Sequence, residues 1–169
     1  GTTFDARVES ANSGTPREWA LNRIRDRNGN YADFVYTEDM ATGSHRPLRI
    51  DYTGNTQTGA VPFYSVRFYY EARPAADLPV GYVAGGILSE STRLDRIDIV
   101  HTATSSTVRS YDFSYAAPGT TGRSRLGSLQ ECVPGGCLAP TQFGWSFVYA
   151  GWAVNFWIAL PVDRLAGAS

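Results

Sequence analysis

The two cysteines are the side chains of this 169-residue sequence whose type and spacing most suggest chemistry. Cys132 and Cys137 are separated by Val-Pro-Gly-Gly, a stretch that favours a turn able to bring the thiols together. A disulfide, free thiols and a pair of metal ligands are the three alternatives. Two cysteines cannot by themselves fill a four-ligand zinc site. We therefore predict a disulfide, which requires an oxidising compartment, and keep free thiols as the alternative.

The two histidines are the next candidates, because a nucleophile needs a neighbouring base. His45 lies in a polar turn and His101 at the end of a strand, and the sequence has no G-x-S-x-G segment. All 15 basic residues are Arg, so Schiff-base chemistry and lysine general bases are excluded. We predict two solvated histidines, and we assign no catalytic residue, no cofactor and no metal site.

The segment 26–30, Asp-Arg-Asn-Gly-Asn, has the composition of a calcium loop but not its full order of ligands or its distant Glu. Asn-Gly tolerates a positive φ, and apolar residues flank the segment on both sides. A hairpin tip between Trp19–Arg25 and Tyr31–Thr37 is therefore the better interpretation.

Period-two alternation of apolar and polar residues indicates the elements that position these side chains. It is clearest in Ala32–Tyr36, Leu48–Tyr52, Tyr64–Tyr70 and Arg109–Tyr115. This alternation is typical of antiparallel sheet with one face toward water. With turn signals between them, about eight to ten short strands are predicted, as an all-β antiparallel meander or sandwich. A short helical turn is expected only at Ser89–Leu94 or in the tail.

Composition and charge bound the remaining possibilities. Hydrophobic residues make up 43% and charged residues 18%, which argues against a disordered chain. A net charge of −1 gives no field that would recruit nucleic acid. The sequence begins at Gly1 without a visible signal peptide, so we expect a piece of a longer protein.

A change in composition near residue 146 is the one domain boundary that we predict, dividing a partial β-domain (1–146) from an apolar tail (147–169). The uncharged stretch Phe147–Val162 is slightly shorter than a membrane span and contains Gly, Asn and Pro. A buried strand, or apolar sequence left by truncation or a shifted reading frame, is preferred over contact with a membrane.

Several segments, taken in order, resemble the SpvB-type domain of insecticidal toxin complex B components and of Rhs (YD-repeat) proteins. The family runs G-R-S-R-L, E-C, C-L-P-P-T and F-x-W in that order, and here Ala139 replaces the first Pro of the third motif. The segments that carry the resemblance are Asp26–Tyr31 with Tyr36, Arg49–Asn55, Val66–Arg73, Arg93–Ile97, Tyr111–Tyr115, Gly122–Cys132 and Cys137–Trp145.

The resemblance implies a structural, non-enzymatic module of a secreted bacterial toxin, a fragment of a β-sheet shell that encloses or delivers a toxic C-terminal segment. Its implied partners are a neighbouring β-propeller and Rhs segments. Some proteins with this domain carry an ADP-ribosyltransferase, but the Glu-x-Glu of such enzymes is absent here. The alternative is a carbohydrate- or surface-binding β-domain that uses exposed Tyr and Trp, with Trp145, Trp152 and Trp157 as the stacking platform.

Overall fold

The structure, a computed structural model, describes residues 7–11, 15–116, 121–145 and 156–159. These residues form β-strands joined by turns, with a 3₁₀ turn at Ala75–Asp77 and no α-helix. The strands are β1 (Arg7–Glu9), β2 (Pro16–Trp19), β3 (Arg23–Arg25), β4 (Asn30–Asp39), β5 (Ser44–Asn55), β6 (Tyr64–Ala72), β7 (Val80–Val83), β8 (Gly86–Ser89), β9 (Thr92–His101), β10 (Ser106–Ala116), β11 (Arg125–Val133), β12 (Gly136–Cys137), β13 (Thr141–Trp145) and β14 (Phe156–Ala159).

One antiparallel sheet of ten strands dominates the described chain. Its strands lie in the order β14-β13-β11-β10-β9-β6-β5-β4-β3, and the short β12 pairs with β11. Each long strand therefore pairs with the strand before it in sequence, except where the separate hairpin β7–β8 is inserted between β6 and β9. β1 and β2 form a second small hairpin. The predicted all-β class is confirmed, and the described residues adopt the meander alternative.

The four alternating stretches all lie within strands, in β4, β5, β6 and β10. The hairpin tip at 26–30 is also confirmed, because β3 and β4 pair on either side of it. The short helical turn expected at Ser89–Leu94 is wrong. Ser89 ends β8, and Thr92 begins β9 as the register partner of Ala72, because pairing with β6 fixes this segment in an extended conformation.

The two faces of the large sheet differ in chemistry. The apolar face is defined by nine side chains that the register aligns across six strands: Phe34, Ile50, Val66, Phe68, Ile97, Ile99, Tyr111, Phe113 and Leu129. The opposite, charged face is defined by Arg23, Asp33, Arg49, Asp51, Arg67, Arg96, Asp98 and Asp112. The faces separate because successive side chains of a strand point to opposite sides of the sheet.

Burial in the large sheet is the reverse of that in an ordinary globular domain. All nine side chains of the apolar face are only half-buried. On the charged face, Asp33 and Asp98 are 6% and 5% exposed, beneath the arginines that pair with them. The buried hydrophobic residues of the described chain are Val8, Ala11 and Val100. Among the described residues, the apolar face is therefore not covered by a second layer.

No helix in the described part of the chain has the length and apolar character needed to cross a membrane. Most of the predicted tail lies outside the described residues. Its described stretch, β14, pairs with β13 at one end of the large sheet. The boundary near residue 146 stays a prediction.

Candidate functional site

The two cysteines face each other across the β11–β12 hairpin. They are register partners with Cα atoms 4.0 Å apart, and the structure joins them in a disulfide. Gly135, with a φ of 106°, provides the sharp turn between them. An open depression of about 330 Å³ beside the hairpin is lined by Glu131, Cys137 and Leu138 among others. Glu131 is the one ionisable side chain among the described residues that line it, beside the disulfide.

The two histidines are held apart by the sheet. His101 packs edge-on against Tyr64, whose register partner on β5 is Tyr52, whereas His45 lies at the other end of β5. Seven residues of strand separate Tyr52 from His45, which is about 23 Å. His45 is not simply solvated, because its Nδ1 lies 3.4 Å from both the Arg17 guanidinium and the Glu18 carboxylate. The two rings cannot act at one site.

The loop at 26–30 is a self-contained polar turn. One Asp26 carboxylate oxygen accepts the backbone N–H groups of Asn28 and Asn30, each at 2.9 Å, and the other accepts the Asn30 amide at 2.8 Å. These hydrogen bonds, led by that from the Asn30 side chain, lower the pKa of Asp26 below its ordinary value. Asn55 of β5 then donates to Asn30 Oδ1 at 2.8 Å and to Asn28 O at 3.1 Å. The oxygens are used within the protein rather than arranged around an ion.

Two further residues of the same segment fix the edge of the sheet. The Tyr36 hydroxyl donates to Leu21 O at 3.1 Å and so ties β4 to the chain before β3. The Tyr31 ring lies over Gly54, its register partner on β5, so closely that a Cβ at Gly54 would overlap it. The Arg23 guanidinium lies 4.3 Å from the centre of the same ring. The Asp, Asn and Tyr side chains of the segment Asp26–Tyr31, together with Tyr36, thus make contacts that stabilise this edge of the sheet.

The charged face is neutralised mainly by neighbouring carboxylates and aromatic rings. Arg23 forms two hydrogen bonds with the Asp33 carboxylate, at 2.5 and 2.8 Å. Arg49 Nε donates to Asp51 at 2.8 Å, and Ser65 donates to the other Asp51 oxygen at 2.7 Å. The guanidinium group suits both arrangements, the two hydrogen bonds to one carboxylate and the carboxylate that a serine also contacts. Arginine is therefore a suitable residue for this surface.

Arg96 connects two neighbours on the charged face. Its Nε lies 3.0 Å from Asp98 Oδ1, an ion pair in which the N–H does not point at the oxygen. Its guanidinium carbon also lies 4.5 Å from the centre of the Tyr69 ring. The ion pair lies within β9, whereas the contact with Tyr69 joins β9 to β6, so Arg96 stabilises the sheet surface in both directions.

A polar clamp, defined as Arg73, Asp77, Arg93 and Ser124, joins the 3₁₀ turn to the connection between β10 and β11. Asp77 is 1% exposed, and its carboxylate accepts from Arg73 at 2.8 Å and from Ser124. The hydrogen bond from the Ser124 side chain is the largest of the causes that lower the pKa of Asp77, and Arg73 adds to it against the opposing effect of burial. The ionised carboxylate is thus the form that the fold stabilises.

Arg93 completes this polar clamp from β9. It donates to the Ser124 hydroxyl and, at 2.6 Å, to the Glu71 carboxylate of β6. Its guanidinium carbon also lies 4.1 Å from the centre of the Tyr115 ring. Ser124 belongs to the G-R-S-R-L segment, so this motif acts as a docking point for a chain connection. Sequence spacing missed the clamp, because Asp77 and Ser124 are far apart along the chain.

Trp145 is the one member of the predicted aromatic platform whose side chain is described. It is half-buried, and its indole N–H donates to Leu126 O at 2.7 Å. This contact ties β13 to the start of β11, which favours a packing role. The carbohydrate-binding alternative stays a prediction.

No group of three or more His, Cys, Asp or Glu side chains in the described ranges is placed to hold a metal ion. The clusters described above consist of carboxylates already paired with guanidinium, amide or hydroxyl donors. Such clusters bind strands and turns to each other, because each carboxylate is held by donors from neighbouring residues.

The sequence matches no protein-family model and no curated protein. Solved structures do match it. The Photorhabdus luminescens Tc holotoxin pore superposes with a TM-score of 0.67 and 13% identity, over 86% of this chain and 9% of that chain. TcdB2-TccC3 gives 0.63 and 12%, over 86% and 10%. The N-terminal domain of effector protein SpvB from Salmonella typhimurium gives 0.62 and 13%, over 78% and 56%.

This is the SpvB-type fold. The resemblance predicted from the motifs is confirmed for the fold. It is confirmed for the fold alone, because no more than 13% of the residues are identical in these three structures. The chain spans about a tenth of the length of the Tc toxin chains and 56% of the SpvB domain. The same fold thus occurs in chains of the Tc holotoxin pore, of TcdB2-TccC3 and of effector protein SpvB.

Proposed function

We propose that this SpvB-type chain is a structural, non-enzymatic module of a secreted bacterial toxin or Rhs-type protein. It forms part of a β-sheet shell that encloses or delivers a toxic C-terminal segment. The observation that carries this proposal is the single wide sheet with a half-exposed apolar face and a self-neutralised charged face.

A wall needs lateral continuity, and the meander provides it. Nine strands in unbroken antiparallel pairing span about 40 Å at the usual spacing between strands. Backbone hydrogen bonds seal such a sheet against leakage without any side-chain chemistry. The similarity to the Tc holotoxin pore and to TcdB2-TccC3 supports placing this wall in a multi-component toxin.

The two faces suggest how the wall is oriented in an assembly. On the charged face, Arg23, Arg49 and Arg96 form ion pairs with Asp33, Asp51 and Asp98. Most of the charges that define this face are thus neutralised within it, and the face tolerates water. The apolar face leaves nine half-buried side chains that a second layer would cover. Neighbouring β-propeller and Rhs segments of the same or a partner component are the covering elements that we propose.

The decisive test uses the longer protein encoded by the full open reading frame. Limited proteolysis should leave its C-terminal segment intact, whereas an in-frame deletion of residues 16–145 should expose that segment to cleavage. Equal digestion of the C-terminal segment with and without the module would contradict the shell function.

A matched pair of variants tests the orientation of the wall. Phe113 is half-buried on the apolar face, and the adjacent Ser114 is exposed on the opposite side of β10. Phe113→Glu should abolish protection in the longer protein, because it buries an unpaired charge under the covering layer. Ser114→Glu adds the same charge to the other face and should retain protection. Retained protection in both variants would show that the apolar face is uncovered.

A further inference from the structure

The outer edge of β3 is an unpaired edge of the large sheet in the described part of the chain. Its inner side is used by β4: Asn22 O accepts from Phe34 N at 2.9 Å, and Asp26 N donates to Asn30 O at 3.0 Å. Hydrogen-bonding residues alternate along an antiparallel strand. The N–H and C=O groups of Arg23 and Arg25 therefore point away from β4, where a further strand would lie.

The surroundings of this edge are apolar and exposed. Trp19, Leu21 and Ile24 are 71%, 49% and 55% exposed. Proteins commonly protect edge strands with charges and short length, and β3 has both features. Protection against pairing does not explain why three large apolar side chains beside this edge are exposed to water. Binding of a partner strand at this edge would explain their exposure.

Charge selects the partner. Arg23 and Arg25 both lie on the charged face, and Arg23 is paired with Asp33, whereas Arg25 has no carboxylate partner among the described residues. A second copy pairing edge to edge would bring arginine opposite arginine, which is unfavourable. A strand that presents carboxylates on the charged face and apolar residues beside Ile24 would continue both faces of the sheet.

We propose that the β3 edge binds an extended segment of the shell outside this chain, which adds a strand with alternating acidic and apolar residues. This inference deepens the proposed function, since that segment belongs to the same assembly. Backbone hydrogen bonds to Arg23 and Arg25 supply affinity, and the carboxylate opposite Arg25 supplies specificity.

The test uses the 169-residue chain and a short, blocked, fluorescent peptide of alternating Glu and Val, with binding followed by fluorescence anisotropy. We expect saturable binding that is weaker for the matching Lys–Val peptide. Arg25→Glu should weaken Glu–Val binding by about three- to tenfold and improve Lys–Val binding, because a cross-strand charge pair changes sign. Arg123→Glu, an equal charge change in the distant β10–β11 connection, should leave binding unchanged.

A backbone variant separates strand addition from simple charge attraction. Arg25→Pro removes an N–H that points away from β4, so the β3–β4 hydrogen bonds survive and circular dichroism should be unchanged. It should abolish peptide binding. Equal binding of the Glu–Val and Lys–Val peptides, no effect of Arg25→Pro, or self-association that Arg25→Pro removes would each overturn the inference. Protease protection in the longer protein would still test the shell function on its own.

Discussion

The contact between Tyr31 and Gly54 leads to a prediction about stability. Whether Gly54→Ala lowers or raises the free energy of unfolding should depend on the presence of the Tyr31 ring. Gly54 has no positive φ, so its backbone accepts alanine, yet an added Cβ would overlap the Tyr31 ring. Gly54→Ala must therefore displace the ring and with it the contact to Arg23, whose guanidinium carbon lies 4.3 Å from the ring centre. In a chain with Tyr31→Ala, the same Cβ enters empty space.

The expected magnitudes follow from these contacts. Displacing the ring loses about 1 kcal/mol of aromatic packing and about 0.5–1 kcal/mol of cation–π attraction. Replacing glycine restores about 0.5–1 kcal/mol through the lower entropy of the unfolded chain. Gly54→Ala should thus lower the free energy of unfolding by about 1 kcal/mol alone and raise it by about 0.5–1 kcal/mol in the Tyr31→Ala background.

Urea unfolding of the parent chain, the two single variants and the double variant, followed by circular dichroism, measures this coupling. Gly144→Ala in β13 is the control, because it also has no positive φ and, among the described residues, no heavy atom lies within 4 Å of its added Cβ. A coupling free energy below about 0.5 kcal/mol, which is the usual scatter of additive pairs, would refute the role of the ring.

Three further predictions concern the polar clamp and the cysteine hairpin. Asp77→Asn should cost about 2 kcal/mol at neutral pH. Because the fold lowers the pKa of Asp77 below 3.8, the difference in free energy of unfolding should be complete above pH 3.8 and vanish as the pH falls through the lowered pKa. Urea unfolding of both chains between pH 7 and about pH 2 measures this difference. A difference that stays constant over this range would count against the prediction. Gly122→Ala and Gly59→Ala both strain a positive φ, of 70° and 74°, but only at Gly122 does the new Cβ meet Ala76 O, at 3.0 Å. Gly122→Ala should therefore lower Tm further, and equal losses would mean that the connection is not docked. For Cys132 and Cys137, the non-reduced mass should be lower by two hydrogens and reduction should cost about 2 kcal/mol; alkylation without reductant would disprove the bond.

The sequence predicted the long strands because their alternation is a local property. Leu48–Tyr52 and Arg109–Tyr115 each keep one apolar face over several residues, and both lie inside strands of 12 and 11 residues. The described residues form fourteen strands rather than the predicted eight to ten, because β1, β3 and β12 have only 3, 3 and 2 residues and β2, β7, β8 and β14 have 4 each. A period cannot be recognised in so short a segment.

The contacts that stabilise the connections were beyond the reach of spacing rules. Asp77 lies in a stretch that the sequence marks only as a break, and Ser124 lies in a motif known only by resemblance. Their hydrogen bond depends on how β6, β9, β10 and β11 bring two turns together. His45 was expected in solvent for a similar reason, since its neighbours Arg17 and Glu18 come from another hairpin.

The sequential order of the large sheet has a consequence for how the polypeptide acquires its structure. Almost every described strand of this sheet pairs with the strand synthesised just before it. The exceptions are β9, which pairs with β6 across the β7–β8 hairpin, and β13, which pairs with β11 across the two-residue β12. The entropy of closing each loop is therefore small compared with that of a Greek-key topology. The sheet can grow strand by strand from the N-terminal side as the chain leaves the ribosome or a secretion channel, without waiting for its C-terminal end.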